Sequence, residues 1–437
     1  MKFSQFNNTV PYKDKIVLYN AFSNNFLLVE PLLRDLLEAA KAENNAEGIA
    51  NYHPQFYTAL QAKGFLVDET LDEIAAVKEY SARIDSNANR YHLIINPTMN
   101  CNFKCWYCYE SHIKDSKMTE PTMDNVKKHI SNVVLNQPGL KYFHLDWFGG
   151  EPLLFFDKVI DPVMEYAAAI CREHGITFTS SFTTNGFLIN ERMIQRFKLY
   201  NVKAFQITLD GNREMHNTVR FVNAKRGSYD EIVANVMALC REGFYVSQRI
   251  NYTKDTLNDL ESIVEDFRAL EPEFRSKLGI SLHKVWQVKD DTLNDRVNDL
   301  IQYFVREGFA AGIGDSPDTV RHSCYADRKN QATINYNGEV FKCTARNFSS
   351  DAKEGQLNED GTISWNEKFG TRMHIKFRNR PCLSCPIMPI CNGGCSQVAL
   401  ESKGQDYCVY EFNDNLKKEV VLNKFIATLH AKNLQTA

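Results

Sequence analysis

Between residues 91 and 308, short apolar runs alternate with amphipathic ones, and that rhythm leaves few folds open. The strand candidates are YHLIINPT (91–98), YFHLDWFG (142–149), ITFTSSFTTN (176–185), KAFQITLD (203–210), YVSQRINYT (245–253) and GISLHKVW (279–286). A helical pattern follows each, at 119–137, 157–174, 190–200, 229–242, 256–270 and 293–308. Such alternation predicts a parallel sheet with right-handed crossovers. An internal echo agrees: CREHG (171–175), CREGF (240–244) and VREGF (305–309) recur near helix ends, each with glycine where a left-handed C-cap is wanted. Six βα units over 91–310 predict an α/β architecture, a partial (β/α)6 TIM-type barrel short of the eight units of a closed one. Ligands of such folds bind where strands end and loops begin.

The flanks read differently. In residues 1–90, KIVLYNAFSNNFLLVE predicts a hairpin turning at Ser23-Asn24-Asn25. Helical patterns at 31–43 and 54–63, a short FLV strand and a charged helix at 69–85 complete a small α+β module of winged-helix type. After Gly308 the βα rhythm is lost, and 311–437 is rich in turns and cysteines before a closing helix near 412–432.

A length of 437 residues fits two or three domains at roughly 150 residues each. Lys+Arg 51 against Asp+Glu 54 leaves no basic excess to neutralise a phosphate backbone, so no nucleic-acid partner is expected. Nowhere does an uncharged apolar run reach the ~18 residues of a membrane span, and the start MKFSQFNNTV lacks a signal-peptide core. A soluble, cytoplasmic protein without membrane attachment is expected.

Twelve cysteines then need an explanation, because a reducing cytosol disfavours a disulfide framework and thiols at fixed spacings point to metal. Cys101, Cys105 and Cys108 follow directly on the first strand. Structural zinc normally takes four ligands, and here a fourth local thiol is missing. A [4Fe–4S] cluster held by three cysteines would keep one iron open to another ligand. Near the C-terminus stand Cys324, Cys343, Cys382, Cys385, Cys391, Cys395 and Cys408, where a four-thiolate zinc site remains a reading of the CxxC pair and its neighbours. Cys171 and Cys240 lie alone in amphipathic helices and are expected in the core.

Cys101-x3-Cys105-x-Tyr107-Cys108 resembles the CxxxCxΦC signature of the radical S-adenosylmethionine superfamily. The resemblance extends to Gly149-Gly150-Glu151-Pro152 at the second strand's end, the family's GGEP segment, which holds the cofactor's amino group. It also covers Thr184-Asn185 at the end of the third strand and Thr208 with Asp210 at the end of the fourth, with Arg220 and Asn251 as further cofactor contacts. What it implies is reductive cleavage of S-adenosylmethionine to a 5′-deoxyadenosyl radical, with an electron donor of flavodoxin or ferredoxin type.

The C-terminal pattern Cx13Gx4C, then Cx2Cx5Cx3C, then C is similar to the SPASM extension of these enzymes, which carries two auxiliary [4Fe–4S] clusters, three clusters in all. Carried over by residue, Cys382, Cys385, Cys391 and Cys408 would hold one, and Cys324, Cys343 and Cys395 the other. The latter lacks a fourth cysteine; His322 and Asp327 are sequence neighbours of it.

SPASM-bearing enzymes mostly modify ribosomally made peptides, so the resemblance implies a precursor peptide whose leader is bound by the N-terminal module. The expected product is an oxidative carbon–carbon, ether or thioether cross-link, or a related oxidation. Formylglycine formation, as in anaerobic sulfatase maturation, is the alternative; the acid those enzymes carry after the Gx4C cysteine is Thr344 here. A non-catalytic, zinc-stapled peptide-binding scaffold is the distant one. Asp210 and Asp146 are the acid/base candidates, while His144, His216 and His283 face either cavity or core.

Overall fold

The computed structural model describes residues 1–288, 292–314 and 323–435. The chain forms two compact units, one of Ala88–Asp315 and Asn330–Phe369, the other of Met1–Asn87, Ser316–Lys329 and Gly370–Ala437.

An eleven-stranded sheet organises the first unit. Seven parallel strands cross it in chain order: Arg90–Asn96, Tyr142–Trp147, Thr177–Thr184, Val202–Leu209, Tyr245–Tyr252, Leu278–Lys284 and Ala310–Ile313. The sequence pattern predicts six. It misses the seventh because AAGI is short, small and nearly free of the β-branched residues that mark strands. Gln331–Asn335 adds in parallel beside the first strand, and the antiparallel Glu339–Phe341, Gly355–Leu357 and Ile363–Trp365 follow. The stretch after Gly308, where the alternation stops, therefore still feeds the same sheet.

The crossover helices include Glu120–Asn136, Asp161–Glu173, Glu191–Leu199, Tyr229–Arg241 and Asn294–Arg306. Thr119 and Asn190 cap the first and third of these, accepting from Thr122 N at 3.4 Å and Met193 N at 3.1 Å. The helix expected at 256–270 shrinks to a 3-10 turn, Leu260–Ser262, and Ile263–Phe267. The three echoed glycines behave as expected: Gly175, Gly243 and Gly308 sit just past helix ends at φ +68°, +87° and +89°.

Period two gives this sheet unlike faces. Leu93, Ile95, Phe143, Leu145, Trp147, Phe178, Phe182, Phe205, Ile207 and Val246 are buried in one core with the helices. Alternate residues, among them His92, His144, Asp146, Thr179, Ser181, Gln206 and Arg249, are polar and leave the other face. A parallel sheet covered on both faces by helices would read as near-continuous apolar runs. Alternation here means that one face lines a polar interior.

In the second unit, Asn7–Tyr12, Lys15–Asn20 and Asn25–Val29 form an antiparallel sheet, while Lys2–Phe3 pairs with Leu66–Val67. The expected hairpin is present, with Asn20 opposite Asn25 and Asn24 at φ +58° in the turn. Its first strand, NNTVPY, escaped the sequence pattern because Asn and Pro are poor strand signals. Phe6, Val10, Tyr19 and Val77 share one core with Phe377, Ile387, Met388, Ile390 and Val421. Phe425, on the closing helix Asp414–Gln435, lies 5.1 Å from the Tyr12 ring and 5.4 Å from that of Phe26. The N-terminal strands and the cysteine-bearing C-terminal segment thus fold as one body.

Cys171 and Cys240 are buried in the helix-side core, as expected. Among the described residues, no helix is long and apolar enough to cross a membrane.

Phe205 is fully buried, 5.4 Å from the Phe182 ring, 5.1 Å from Phe197 and 5.6 Å from Phe244. Phe205→Ala is expected to lower stability by about 3–5 kcal/mol, read as a drop in the urea midpoint. Leu199→Ala, at a site 69% exposed, is expected to stay within about 0.5 kcal/mol.

Candidate active site

The first strand ends at Asn96 and releases the loop that carries Cys101, Cys105 and Cys108. Hydrogen bonds within the loop fix its start. Thr98 Oγ1 donates to Ser116 O at 2.6 Å and accepts from Asn100 N at 2.9 Å, while Ser116 Oγ accepts from Met99 N at 2.8 Å. The end of the second strand is laced beneath it: Gly150 N donates to Thr98 O at 3.1 Å and Glu151 N to Asn100 O at 2.8 Å. No side chain fits between them. A Cβ on Gly149 would overlap the Thr98 carbonyl oxygen, one on Gly150 the Asn100 carbonyl, and Gly149 also sits at φ +103°.

Glu151 is fully buried and binds the third strand's end to this pair. Its Oε1 accepts from Leu153 N at 3.0 Å and Thr184 Oγ1 at 2.7 Å, and its Oε2 from Asn185 N at 2.7 Å. Burial pushes its carboxyl up, and these donors oppose the shift. Pro152, buried, opens a 3-10 turn behind it. Asn185 Nδ2 donates to Asn102 Oδ1 at 2.7 Å and stands 4.0 Å from Cys101 Sγ. The glycines, Glu151 and Asn185 thus form one connected frame around the first cysteine.

A second network holds Tyr107. Its hydroxyl donates to Asp210 Oδ1 and accepts from Arg220 Nη2 at 2.8 Å and Asn251 Nδ2 at 3.0 Å. Arg220 Nε donates to Asp210 Oδ2 at 2.6 Å, and both members of this ion pair are buried. Four residues singled out from the sequence, on four separate segments, therefore meet at one phenol. Thr208, two residues before Asp210 on the same face, lies outside that network. His216 faces the core: it is fully buried, accepts from Asp210 N at 3.2 Å through Nδ1, and burial pushes its pKa down to about 3. His283 Nε2 lies 2.9 Å from Ser281 Oγ.

Asp146, the other acid/base candidate, is flanked by two imidazoles. His92 Nε2 is 2.6 Å from its Oδ2 and His144 Nε2 is 3.0 Å from its Oδ1. Burial would raise this carboxyl, but the bonds from His144 and His92 outweigh it and hold the group well below the usual range.

The three thiols suit an inorganic cluster. Burial pushes Cys101 up to about 12 and also raises Cys105 and Cys108, which keeps them protonated unless a bound cation displaces the protons. Tyr109 OH donates to Thr344 O at 2.9 Å, and Ser111 exchanges bonds with Asn347, so the strip after Cys343 is tied to this loop.

In the other unit, Cys382, Cys385, Cys391 and Cys408 line one cavity with Tyr407, Tyr410 and Met388. Asn379 Nδ2 donates to Cys382 Sγ at 3.1 Å and Tyr407 O at 2.6 Å, and burial pushes Cys391 up to about 12. Cys324 and Cys395 are both exposed in this unit, and Cys343 belongs to the sheet unit. Asp327 is 3.7 Å from Lys376 Nζ, with burial raising its carboxyl; His322 lies outside the described residues.

Several neighbours escaped the sequence reading. Asn102 anchors Asn185, Arg249 Nε donates to Asn251 Oδ1 at 2.8 Å, and Gln287 Nε2 donates to Tyr107 O at 2.8 Å. Arg249 had a signal, standing two residues before Asn251 on a strand; the other two required the folded loops.

The chain is similar to several known proteins. The sequence model of a family described as the Radical SAM superfamily matches residues 95–267. The radical SAM cyclopropyl synthase TigE of Paramaledivibacter caminithermalis is 24% identical over 85% of this chain and 81% of its own. The cysteine-type anaerobic sulfatase-maturating enzyme of Clostridium perfringens is 24% identical over 72% of this chain and 91% of its own. The crystal structure of Streptococcus suis SuiB bound to precursor peptide SuiA shares the fold at a TM-score of 0.50 and 15% identity, covering 93% of this chain and 97% of that one.

Gly150→Ala is expected to part the two loops, abolishing iron retention by the Cys101–Cys108 loop while the thermal transition persists. Arg220→Met would leave the Asp210 carboxylate buried without its partner, at a cost of about 3–5 kcal/mol measured by urea unfolding.

Proposed function

We propose that the chain is a radical S-adenosylmethionine enzyme of the SPASM type and that it oxidatively modifies a ribosomally made precursor peptide. The observation that carries the proposal is the three-thiol loop locked over Gly149-Gly150, with Tyr107 held by Asp210, Arg220 and Asn251 beside it. A [4Fe–4S] cluster on Cys101, Cys105 and Cys108 would supply the electron that cleaves the bound cofactor, and auxiliary clusters on the seven C-terminal cysteines would supply an acceptor for the electron the substrate loses.

The chain's own residues provide position. Gly149 and Gly150 let the end of the second strand pack against the cysteine loop, and Glu151, which accepts from three protein donors, holds Thr184 and Asn185 to that strand end; these residues would hold the cofactor. Tyr107, Asp210, Arg220 and Asn251 form a second network, built on a buried ion pair, and would contribute polar contacts to the cofactor. With both Asp210 oxygens engaged, its part is holding this network together.

The thiols argue against a zinc staple. Round one zinc ion, sulfurs would stand about 3.8 Å apart, given Zn–S near 2.3 Å. Among the described residues, no three cysteine sulfurs come within 4.8 Å of one another.

Peptide capture fits the N-terminal module. Asn25–Val29 is one of the two outer strands of its three-stranded sheet, an edge to which a leader could add as a further strand, as peptides do at exposed sheet edges. Remote leader binding would contribute binding energy for orienting the reacting residue. The SuiB structure with precursor peptide SuiA bound, whose fold extends over most of the chain, supports a peptide substrate. The sulfatase-maturating relatives keep formylglycine formation as a second reading, though Thr344 stands after Cys343, where the resemblance to that class would imply an acid.

Cluster-loaded, reduced enzyme with S-adenosylmethionine and a peptide encoded beside the gene is expected to release 5′-deoxyadenosine and to lighten the peptide by two hydrogens per bond formed. Cys105→Ala is expected to bring deoxyadenosine to background. Conversion of a cysteine or serine to an aldehyde would select the second reading, and an unshifted peptide with deoxyadenosine still formed would remove the peptide assignment.

A further inference from the structure

The polar face of the sheet carries a group that neither the cysteine clusters nor the cofactor frame uses. His92 and His144 are register partners on the first and second strands, and Thr179 is the register partner of His144 on the third. Asp146 follows His144 by two residues, so all four side chains leave the same face. Ligand atoms of His92, His144 and Asp146 lie within 4.8 Å of one another, the one such set of histidine, cysteine and carboxylate groups among the described residues. The group is walled but not sealed: His92 is 18% exposed, Asp146 28% and His144 33%, enough for a small ligand to reach it.

We propose that His92, His144 and Asp146 form a mononuclear site for a divalent first-row cation, of the zinc class, separate from the cysteine clusters. Two imidazole nitrogens and one carboxylate are a donor set that suits such an ion and leaves coordination positions open. The second layer is also in place. Thr179 Oγ1 stands 2.7 Å from His144 Nδ1, fixing that ring so that Nε2 faces Asp146, and Ser181 Oγ is 3.4 Å from the same Nε2. Asp146 is the one anionic ligand of the set, so a bound dication would leave the site one unit positive. The open positions face the polar interior, where water or a substrate carbonyl or carboxylate oxygen completes the shell. Asp146 precedes Gly149 by three residues, about 10 Å along an extended strand, so the ion would lie deeper in the interior than the cofactor frame.

The test uses full-length enzyme with its iron–sulfur clusters loaded, treated briefly with a chelator and dialysed against buffered zinc. Wild type is expected to bind one zinc per chain beyond its iron. His144→Gln and the near-isosteric Asp146→Asn should each weaken zinc binding at least tenfold, with iron and sulfide content unchanged. Wild type retaining no more zinc than the His92→Gln/His144→Gln double variant would overturn the site, leaving a hydrogen-bonded His–Asp–His array. Equal zinc in Asp146→Asn and wild type would overturn it too. Neither outcome touches the peptide assignment, which is read from deoxyadenosine and peptide mass.

Discussion

Two carbonyl oxygens of the cysteine loop, those of Thr98 and Asn100, occupy the space where side chains at Gly149 and Gly150 would have to go. This close approach is the constraint on which the rest of the site depends. It lets Gly150 N and Glu151 N bond to the loop, and it places Glu151 where its two oxygens can hold Leu153, Thr184 and Asn185. Asn185 in turn reaches Asn102, next to the first thiol. Three strand ends are thus joined, the first two through backbone contacts that any Cβ would separate and the third through the Glu151 carboxylate.

The network around Tyr107 rests on electrostatics. Burying the Arg220–Asp210 pair costs desolvation on both sides, and such pairs seldom add net stability over an apolar replacement. What it secures is geometry: the guanidinium reaches Asp210 through Nε and Tyr107 through Nη2, and Asn251 completes the phenol's shell. A lysine, with one point of charge, could not hold both partners in one plane. His216, kept neutral by burial, braces the Asp210 backbone from behind.

The second unit shows how a cysteine-rich segment acquires a core. Residues 382–408 offer little apolar surface of their own, and Ile387, Met388 and Ile390 bury theirs against Phe6, Val10 and Tyr19 from the N-terminal strands. Asn8 Nδ2 also donates to Pro386 O at 3.2 Å. Folding of the cysteine segment is therefore coupled to the N-terminal sheet, and four thiols come to line one cavity within that shared body.

Much of this was legible in advance where the information is local. Alternating apolar runs marked the parallel strands, glycine soon after Arg-Glu marked three helix ends, and cysteine spacing marked two thiol-rich regions. The sheet's true extent was not legible. AAGI and QATIN are strands because they find edges to pair with, not because their composition demands it. Nor could the row His92–His144–Thr179 be seen in the chain, since register between parallel strands is decided by the packing of their crossover helices. The sequence by itself determined the alternation, the thiol spacings and the side-chain-free turn at Gly149-Gly150, because each depends on residues near one another in the chain. Only the tertiary structure decided that Tyr107, Asp210, Arg220 and Asn251 share one phenol, that Asp146 lies between two imidazoles, and that the two chain ends share a core. Those meetings depend on residues far apart in the chain, and they exist only once strand order and burial have brought them together.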